Sequence, residues 1–144
     1  MNYRLIEEKD IYPLAELFTN YFNTQEGDDW AVQKAYRRLR PVCTREDSLN
    51  LIAEEDGKIA GFAIGGFTQY DDLKSYDLFE ILLDAEYQNR GEGARLMEEV
   101  FARARERGAA MVQLTAVNDA MHEHFYGKLG FYTAKNLVLK AKML

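Results

Sequence analysis

Gln88-Asn89-Arg90-Gly91-Glu92-Gly93, QNRGEG, decides how the rest of this 144-residue chain is read. It follows the apolar stretch at residues 76–83 and opens the run GARLMEEVFARARERG at residues 93–108. A strand that enters a glycine-punctuated turn and leaves as a helix aims several backbone N–H groups, and the positive end of the helix dipole, at one point. Gly91 and Gly93 carry no Cβ, so an anionic ligand can approach the main chain and the chain can turn sharply. The turn is therefore expected to cradle a pyrophosphate. Glycine pairs also occur at plain strand-to-helix turns, so the surroundings must carry the argument. A Walker loop does not fit, because Gly93 is followed by Ala94 and Arg95, and a dinucleotide fingerprint wants a small residue where Leu96 stands.

Downstream of the turn, Leu96, Met97, Val100, Phe101 and Ala104 form one apolar stripe, arginines fill the last turns and Gly108 supplies a left-handed stop. MVQLTAV at 111–117 reads as a strand. Asn118 or Asp119 can cap a further helix carrying Met121, Phe125 and Leu129, which Gly130 ends. FYTAKNLVLKAKML at 131–144 alternates as a last strand, with Leu137, Leu139, Ala141 and Met143 set against Lys140 and Lys142.

Upstream, residues 3–7 alternate as a short strand, and Asp10 caps a helix bearing Leu14, Leu17, Phe18, Tyr21 and Phe22 that ends near Asn23. WAVQKAYRRLR suggests a second helix stopped by Pro41. Asp56-Gly57 closes a hairpin between LNLIAEE and KIAGFAIGGF. Residues 76–83 are apolar on both faces except for Asp77 and Glu80, which suits a strand covered on each side and makes Glu80 an anomaly. The order is β-α-α-β-β-β-α-β-α-β, an α/β (α+β) fold in which ligands bind where strand ends splay apart, beside QNRGEG.

The length suits one domain over residues 1–144. Hydrophobic residues make up 47% and charged residues 29%, no apolar run reaches the roughly 20 residues of a membrane span, and MNYRLIEEKD has no apolar signal core, so a cytoplasmic protein is expected. The lone Cys43 excludes an internal disulfide, and no Cys or His partners stand at zinc-ligand spacing, so no metal is expected. A net charge of −6 disfavours nucleic acid and suits a cationic or neutral partner.

Gln-x-x-Gly-x-Gly after a strand, a strand ending in Val117-Asn118, and His124-Phe125-Tyr126-Gly127-Lys128-Leu129-Gly130-Phe131 together resemble the GNAT superfamily of acetyl-CoA-dependent N-acetyltransferases. The resemblance covers nearly the whole chain. It implies a mixed, mostly antiparallel central sheet with parallel, splayed fourth and fifth strands and helices on both faces. By similarity, Gln88, Asn89, Arg90, Gly91, Glu92, Gly93 and Ala94 hold the pyrophosphate of coenzyme A, and Ile81 and Leu83 contact the pantetheine and acetyl carbonyl through their main chain. Asn118 matches a pantetheine contact, Lys128 lies near a coenzyme phosphate, and Tyr126 matches the tyrosine near the thioester sulfur. Gln88 stands where Arg is commoner, and Asn118 lies one residue farther from Tyr126 than the family spacing.

An alkyl ammonium is neutral in only about one molecule in two thousand at pH 7, so acetyl transfer to an amine needs a route for that proton. Glu80 is assigned as general base, directly or through water, because burial raises a carboxyl pKa toward the useful range; the alternative is a satisfied ion pair or a solvent-facing position. On helix spacing alone Tyr126 is an amphipathic tyrosine packed on the core, and the resemblance is what makes it the acid that protonates the leaving thiolate. His122 and His124 read as exposed helix positions. The acceptor, a primary amine of a small molecule or peptide, is expected to meet Tyr21, Phe22 and Trp30 near Glu26, Asp28 and Asp29, together with Asp71 and Asp72 after Tyr70; solvated loops are the alternative. Two rivals remain: a noncatalytic acyl-CoA-binding or sensing module, and a protein whose turn binds no nucleotide and which acts through an interface. A homodimer is compatible with the sequence.

Overall fold

Asp56 and Gly57 adopt φ of 53° and 74°, the left-handed pair that closes a two-residue hairpin between β2 (Ser48–Glu55) and β3 (Lys58–Gln69). This hairpin is the centre of the sheet in the computed structural model, which describes residues 1–144. β1 (Asn2–Leu5) pairs antiparallel with β2, β4 (Lys74–Leu83) pairs antiparallel with β3, and β5 (Met111–Gln113) runs parallel to β4 at the edge. Helices α1 (Ile11–Gln25) and α2 (Val32–Cys43) lie between β1 and β2, α3 (Glu92–Glu106) crosses from β4 to β5, and α4 (Ala120–Lys128) follows β5. None of them is long and apolar enough to cross a membrane.

Strand alternation divides the core into two layers. Leu49, Leu51, Ala63, Phe67, Tyr76 and Leu78 pack with Leu96, Met97, Val100 and Ala104 of α3. Ile52, Phe62, Ile64 and Leu82 pack with Leu14, Phe18, Ala35 and Leu39 of α1 and α2. Tyr76 is fully buried, and its hydroxyl donates to the Leu49 carbonyl at 2.8 Å, so the phenol stays satisfied inside the first layer.

Four local expectations are corrected. α1 runs to Gln25 rather than ending near Asn23. Asp10 does not cap α1 with its side chain: its carboxylate accepts from both Arg4 terminal nitrogens, at 2.7 and 2.9 Å, and from the Glu7 amide at 2.8 Å. A charge-assisted, bidentate partner outcompetes a single neutral cap. Pro41 does not stop α2, which continues to Cys43 with buried Ala35 and Leu39 anchoring it; proline forfeits one hydrogen bond there, and Thr44 N–H still reaches the Arg40 carbonyl at 2.9 Å. The largest departure is at the C-terminus. β5 covers only Met111–Gln113 instead of 111–117, and residues 131–144 form no strand. Alternation marks a chain fit to pair, but a strand needs a neighbour that supplies the hydrogen bonds.

Candidate active site

β4 carries an irregularity that positions the site. Ile64 lies opposite Glu80 while Gly65 lies opposite Leu78, so Phe79 is an extra residue bulged out of the ladder. In a regular strand Tyr76, Leu78 and Glu80 share a face. The bulge breaks that parity: Tyr76 and Leu78 stay in the α3 layer, whereas Glu80 turns to the other layer, where Arg38 of α2 reaches its carboxylate at 3.5 Å. Phe79 is left 45% exposed, with the Arg38 guanidinium 4.8 Å from its ring centroid.

Beyond the bulge the sheet splits. β4 and β5 pair only at Ser75–Met111, Tyr76–Val112 and Asp77–Gln113. Past that point the two strands diverge, and a cavity of about 370 Å³ opens between them. Phe18, Phe22, Trp30 and Arg38 line it from the α1/α2 side, Phe79, Glu80 and Ile81 from β4, and residues 114–117, His122 and Tyr126 from the far side. Glu80 and Tyr126 thus reach one cavity from opposite faces of the sheet.

Their electrostatics are linked. Burial raises the Glu80 carboxyl above the ordinary glutamate value, and the charge and hydrogen bond of Arg38 oppose it. Tyr126 is raised by burial first and by the negative charge of Glu80 second, so its phenol keeps its proton at neutral pH. Phe125 at 5.0 Å and Phe131 at 5.5 Å, both edge-on, hold the Tyr126 ring.

The glycine turn lies at the start of α3. Asn89 and Gly91 are left-handed, with φ of 62° and 77°. No amide from residue 89 to residue 94 donates a hydrogen bond within the chain, whereas Gln88 N–H is taken by Ala85 and Arg95 N–H by Gly91. Six successive free donors at the N-terminus of a 15-residue helix suit an anion. Arg90 and Arg95 add positive charge, anchored on the Glu86 and Arg90 carbonyls at 3.0 Å each. Glu92 offers its amide, its carboxylate being paired with Arg95 at 2.8 Å. The donor set fits a pyrophosphate.

The two glycines serve different ends. Gly91 is needed for its positive φ, since a Cβ there would meet only the Arg95 guanidinium at 3.7 Å. At Gly93 a Cβ would stand 3.2 Å from the Phe125 ring and 3.6 Å from Leu83, so this glycine lets α3 pack against α4 and β4 rather than clearing space for a ligand. Gln88 also faces inward, donating to the Tyr21 hydroxyl at 3.0 Å and the Leu83 carbonyl at 2.8 Å. It braces the turn with its side chain, and Tyr21 is occupied by it.

Of the expected acceptor residues, Phe22 and Trp30 line the cavity together with Asp28, while Tyr21, Asp71 and Asp72 do not. Asn118 lines a neighbouring groove, and Lys128 is exposed at the end of α4 outside both. His122 is half-buried at the cavity wall instead of exposed, its Nδ1 lying 2.7 Å from Asp119; Asp119 caps α4 by accepting the His122 N–H at 2.8 Å. Arg38, Phe18 and Phe79 are site residues that the sequence did not single out. Arg38 adjoins the Ala31, Ala35 and Leu39 stripe at helical spacing, which was a usable signal. No cluster of His, Cys, Asp or Glu forms a metal cage, and burial pushes the Cys43 thiol up to about 11.

The chain belongs to the acetyltransferase (GNAT) family, whose profile matches residues 11–131. Solved structures of the same fold include a transcriptional regulator from Bacillus halodurans C-125, 20% identical over 99% of both chains with a TM-score of 0.77. A predicted acetyltransferase from Clostridium acetobutylicum, solved with acetyl-CoA, is 18% identical over 97% of this chain and 95% of that one, with a TM-score of 0.76. The ribosomal-protein-alanine N-acetyltransferase from Brucella melitensis biovar Abortus 2308 is 16% identical over 100% of both chains, with a TM-score of 0.76. No curated protein matches the sequence detectably.

Proposed function

We propose that this protein transfers the acetyl group of acetyl-CoA to a primary amine of a small molecule or peptide by direct attack, with Glu80 as base and Tyr126 as acid. The observation that supports it most is the split between β4 and β5, which brings the Glu80 carboxylate and the Tyr126 phenol to one cavity lined by both. Family membership supports acetyl-CoA as the acyl donor. The free amides of residues 89–94, with Arg90 and Arg95, would hold its phosphates, and Ile81 would present its backbone to the arm. The thioester supplies an activated acetyl group.

The chain's own groups then handle two protons. Glu80, directly or through a water, takes the proton that the attacking ammonium must lose. The neutral amine nitrogen bonds to the acetyl carbon, the carbon–sulfur bond breaks, Tyr126 gives its proton to the departing sulfur, and the second proton that the nitrogen sheds as the amide forms restores the Tyr126 phenol. The coupling between the two residues favours this sequence. While Glu80 is ionised its charge holds the phenolic proton in place; once Glu80 is protonated that hold is released and Tyr126 becomes the stronger acid. Phe22, Trp30 and Asp28 give the amine an aromatic and acidic entrance.

The test is release of free thiol from acetyl-CoA in the presence of polyamines, amino sugars, amino acids and N-terminal peptides. The proposal expects thiol to appear in stoichiometric step with an acetylated amine. Binding of coenzyme A with no thiol release from any amine would replace the enzyme with an acyl-CoA-sensing module.

A further inference from the structure

We infer that the acceptor is a free α-amino acid, whose carboxylate pairs with Arg38 while its ammonium sits on Glu80. The inference rests on the acetyl-transfer reading of this site and names the amine it takes. Arg38 is the residue that carries it. A structural arginine in this chain is saturated: Arg4 donates to Asp10 at 2.7 and 2.9 Å and to Glu54 at 2.7 Å. Arg38, by contrast, makes one hydrogen bond, a long one of 3.5 Å from Nη2 to Glu80 Oε2, and its side chain is 40% exposed on the cavity wall. Its guanidinium is placed by rings instead, 4.8 Å from the Phe79 centroid and 6.0 Å from that of Phe18. Ring contact positions the group without using its N–H donors, most of which stay available to bind a carboxylate in the two-pronged way that arginine favours.

Charge and spacing narrow the ligand further. Asp28, Arg38 and Glu80, with His122, are the ionic groups on the cavity wall, and Arg38 is the one guanidinium or ammonium among them. A plain amine leaves that cation unmatched once its ammonium approaches Glu80, and the second ammonium of a polyamine is repelled by it. A peptide N-terminus has no carboxylate beside its amine. An α-amino acid supplies both charges. Glu80 Oε1 accepts no hydrogen bond within the chain, so it can take the ammonium while Oε2 faces Arg38. The two protein charges stand 3.5 Å apart, and ordinary bond lengths put the nitrogen and the nearer carboxylate oxygen of an α-amino acid about 3 Å apart. Four alternating charges can therefore close a rectangle, which an extended amino acid with several methylenes between its ends does not match. Phe18, Phe22 and Trp30 line the same cavity, Phe18 and Trp30 edge-on at 4.9 Å, and suit an apolar or aromatic side chain. The substrate carboxylate also draws Arg38 off Glu80. That weakens the contact opposing the upward effect of burial on the carboxyl and makes Glu80 a better proton acceptor.

The experiment compares, on the full chain, each common apolar or aromatic α-amino acid with its own amide, with its decarboxylated amine and with γ-aminobutyrate. Thiol release from acetyl-CoA gives kcat/KM, and isothermal titration with coenzyme A present gives affinity without turnover. At least one amino acid should exceed its amide and its amine by about 10- to 100-fold in both readouts, and γ-aminobutyrate should fall to the level of the amines. Arg38→Met should bring that ratio close to one by raising KM for the amino acid, and Arg38→Lys should restore part of it. The ratio cancels any change in Glu80 that all acceptors feel alike. Amines turned over as well as their parent amino acids would overturn the inference and leave acetyl transfer standing. Preferential binding of an amino acid with no thiol release would uphold the carboxylate contact at Arg38 and overturn the transfer reading instead. Failure of every α-amino acid to bind or react, or a ratio unmoved by Arg38→Met, also overturns the inference, and the comparison on the unaltered protein decides it should that variant not fold.

Discussion

At the scale of single residues, Arg38 and Glu80 form the ion pair on the cavity wall, 3.5 Å apart. Because Arg38 holds the Glu80 carboxyl down against the upward push of burial, Arg38→Met should raise the Glu80 pKa. A base is useful only when ionised, so the acidic limb of kcat/KM should move to higher pH in that variant. Glu80→Gln, which has no base, should depend instead on prior loss of the amine proton to solvent and gain activity only toward alkaline pH. A pH profile of kcat/KM for Glu80→Gln matching the unaltered enzyme would remove Glu80 from the mechanism. Tyr126→Phe keeps the ring packed between Phe125 and Phe131 but removes the donated proton. It should lower kcat by about 100-fold or more with little change in the KM for acetyl-CoA, as steady-state kinetics would show. That Glu80 would need a partner or a cavity was legible, because a carboxylate in an apolar strand demands a reason. Its partner was not: the run at 76–83 is apolar on both faces, and such a run conceals which residue has slipped out of register.

Each element fails in its own way when changed. At the head of α3, Gly91→Ala forces a side chain into left-handed backbone and should cost about 1–2 kcal/mol, with nothing for the methyl to strike. Gly93→Ala meets the Phe125 ring instead, so α3 or α4 must move. Urea unfolding should find both variants destabilised. Thermal melts with coenzyme A should find Gly93→Ala also losing donor affinity, because the free amides shift with the helix start. At the other end of the sheet, Arg4 ties β1 to Asp10 and to Glu54 of β2. Asp10 is 8% exposed, and Arg4→Met would leave its charge buried without a cation, at a cost of about 2–3 kcal/mol at pH 7. The sign with pH follows from the Asp10 pKa, which the Arg4 hydrogen bonds hold below 3.8. A depressed carboxyl stabilises the fold above its unfolded pKa and loses that contribution as pH falls through the folded value, so the gap between Arg4→Met and the parent should narrow below about pH 3.8. Helices α1 to α4 and the Asp56-Gly57 hairpin were readable because each carries its own stripe, cap or turn residue. The C-terminal strand was not, because its alternation says what it could pair with only once a neighbour is in reach.

For the molecule as a whole, the two hydrophobic layers are separate and the site lies between them. A ligand anchored on α3 should therefore stabilise the entire fold: coenzyme A at about 100 times its Kd adds about 2.7 kcal/mol, and the melting temperature should rise by about 8–10 °C. No shift at any concentration would mean that the free amides of residues 89–94 hold no such ligand. The family architecture was legible from one turn and one tyrosine segment, since those pieces join the strand to the helix and the helix to the cleft. That Arg38 and Phe18 meet β4 at the cleft was not legible, since the helix stripes show which faces are buried and not which strand they pack against. The meeting of Glu80 and Tyr126 across the sheet also bears on how the protein is born. Tyr126 belongs to α4, so the residues through that helix must leave the ribosome before the phenol can swing opposite the carboxylate. Under the proposed function, a product truncated ahead of α4 keeps the glycine turn of α3 but lacks the acid for the leaving sulfur.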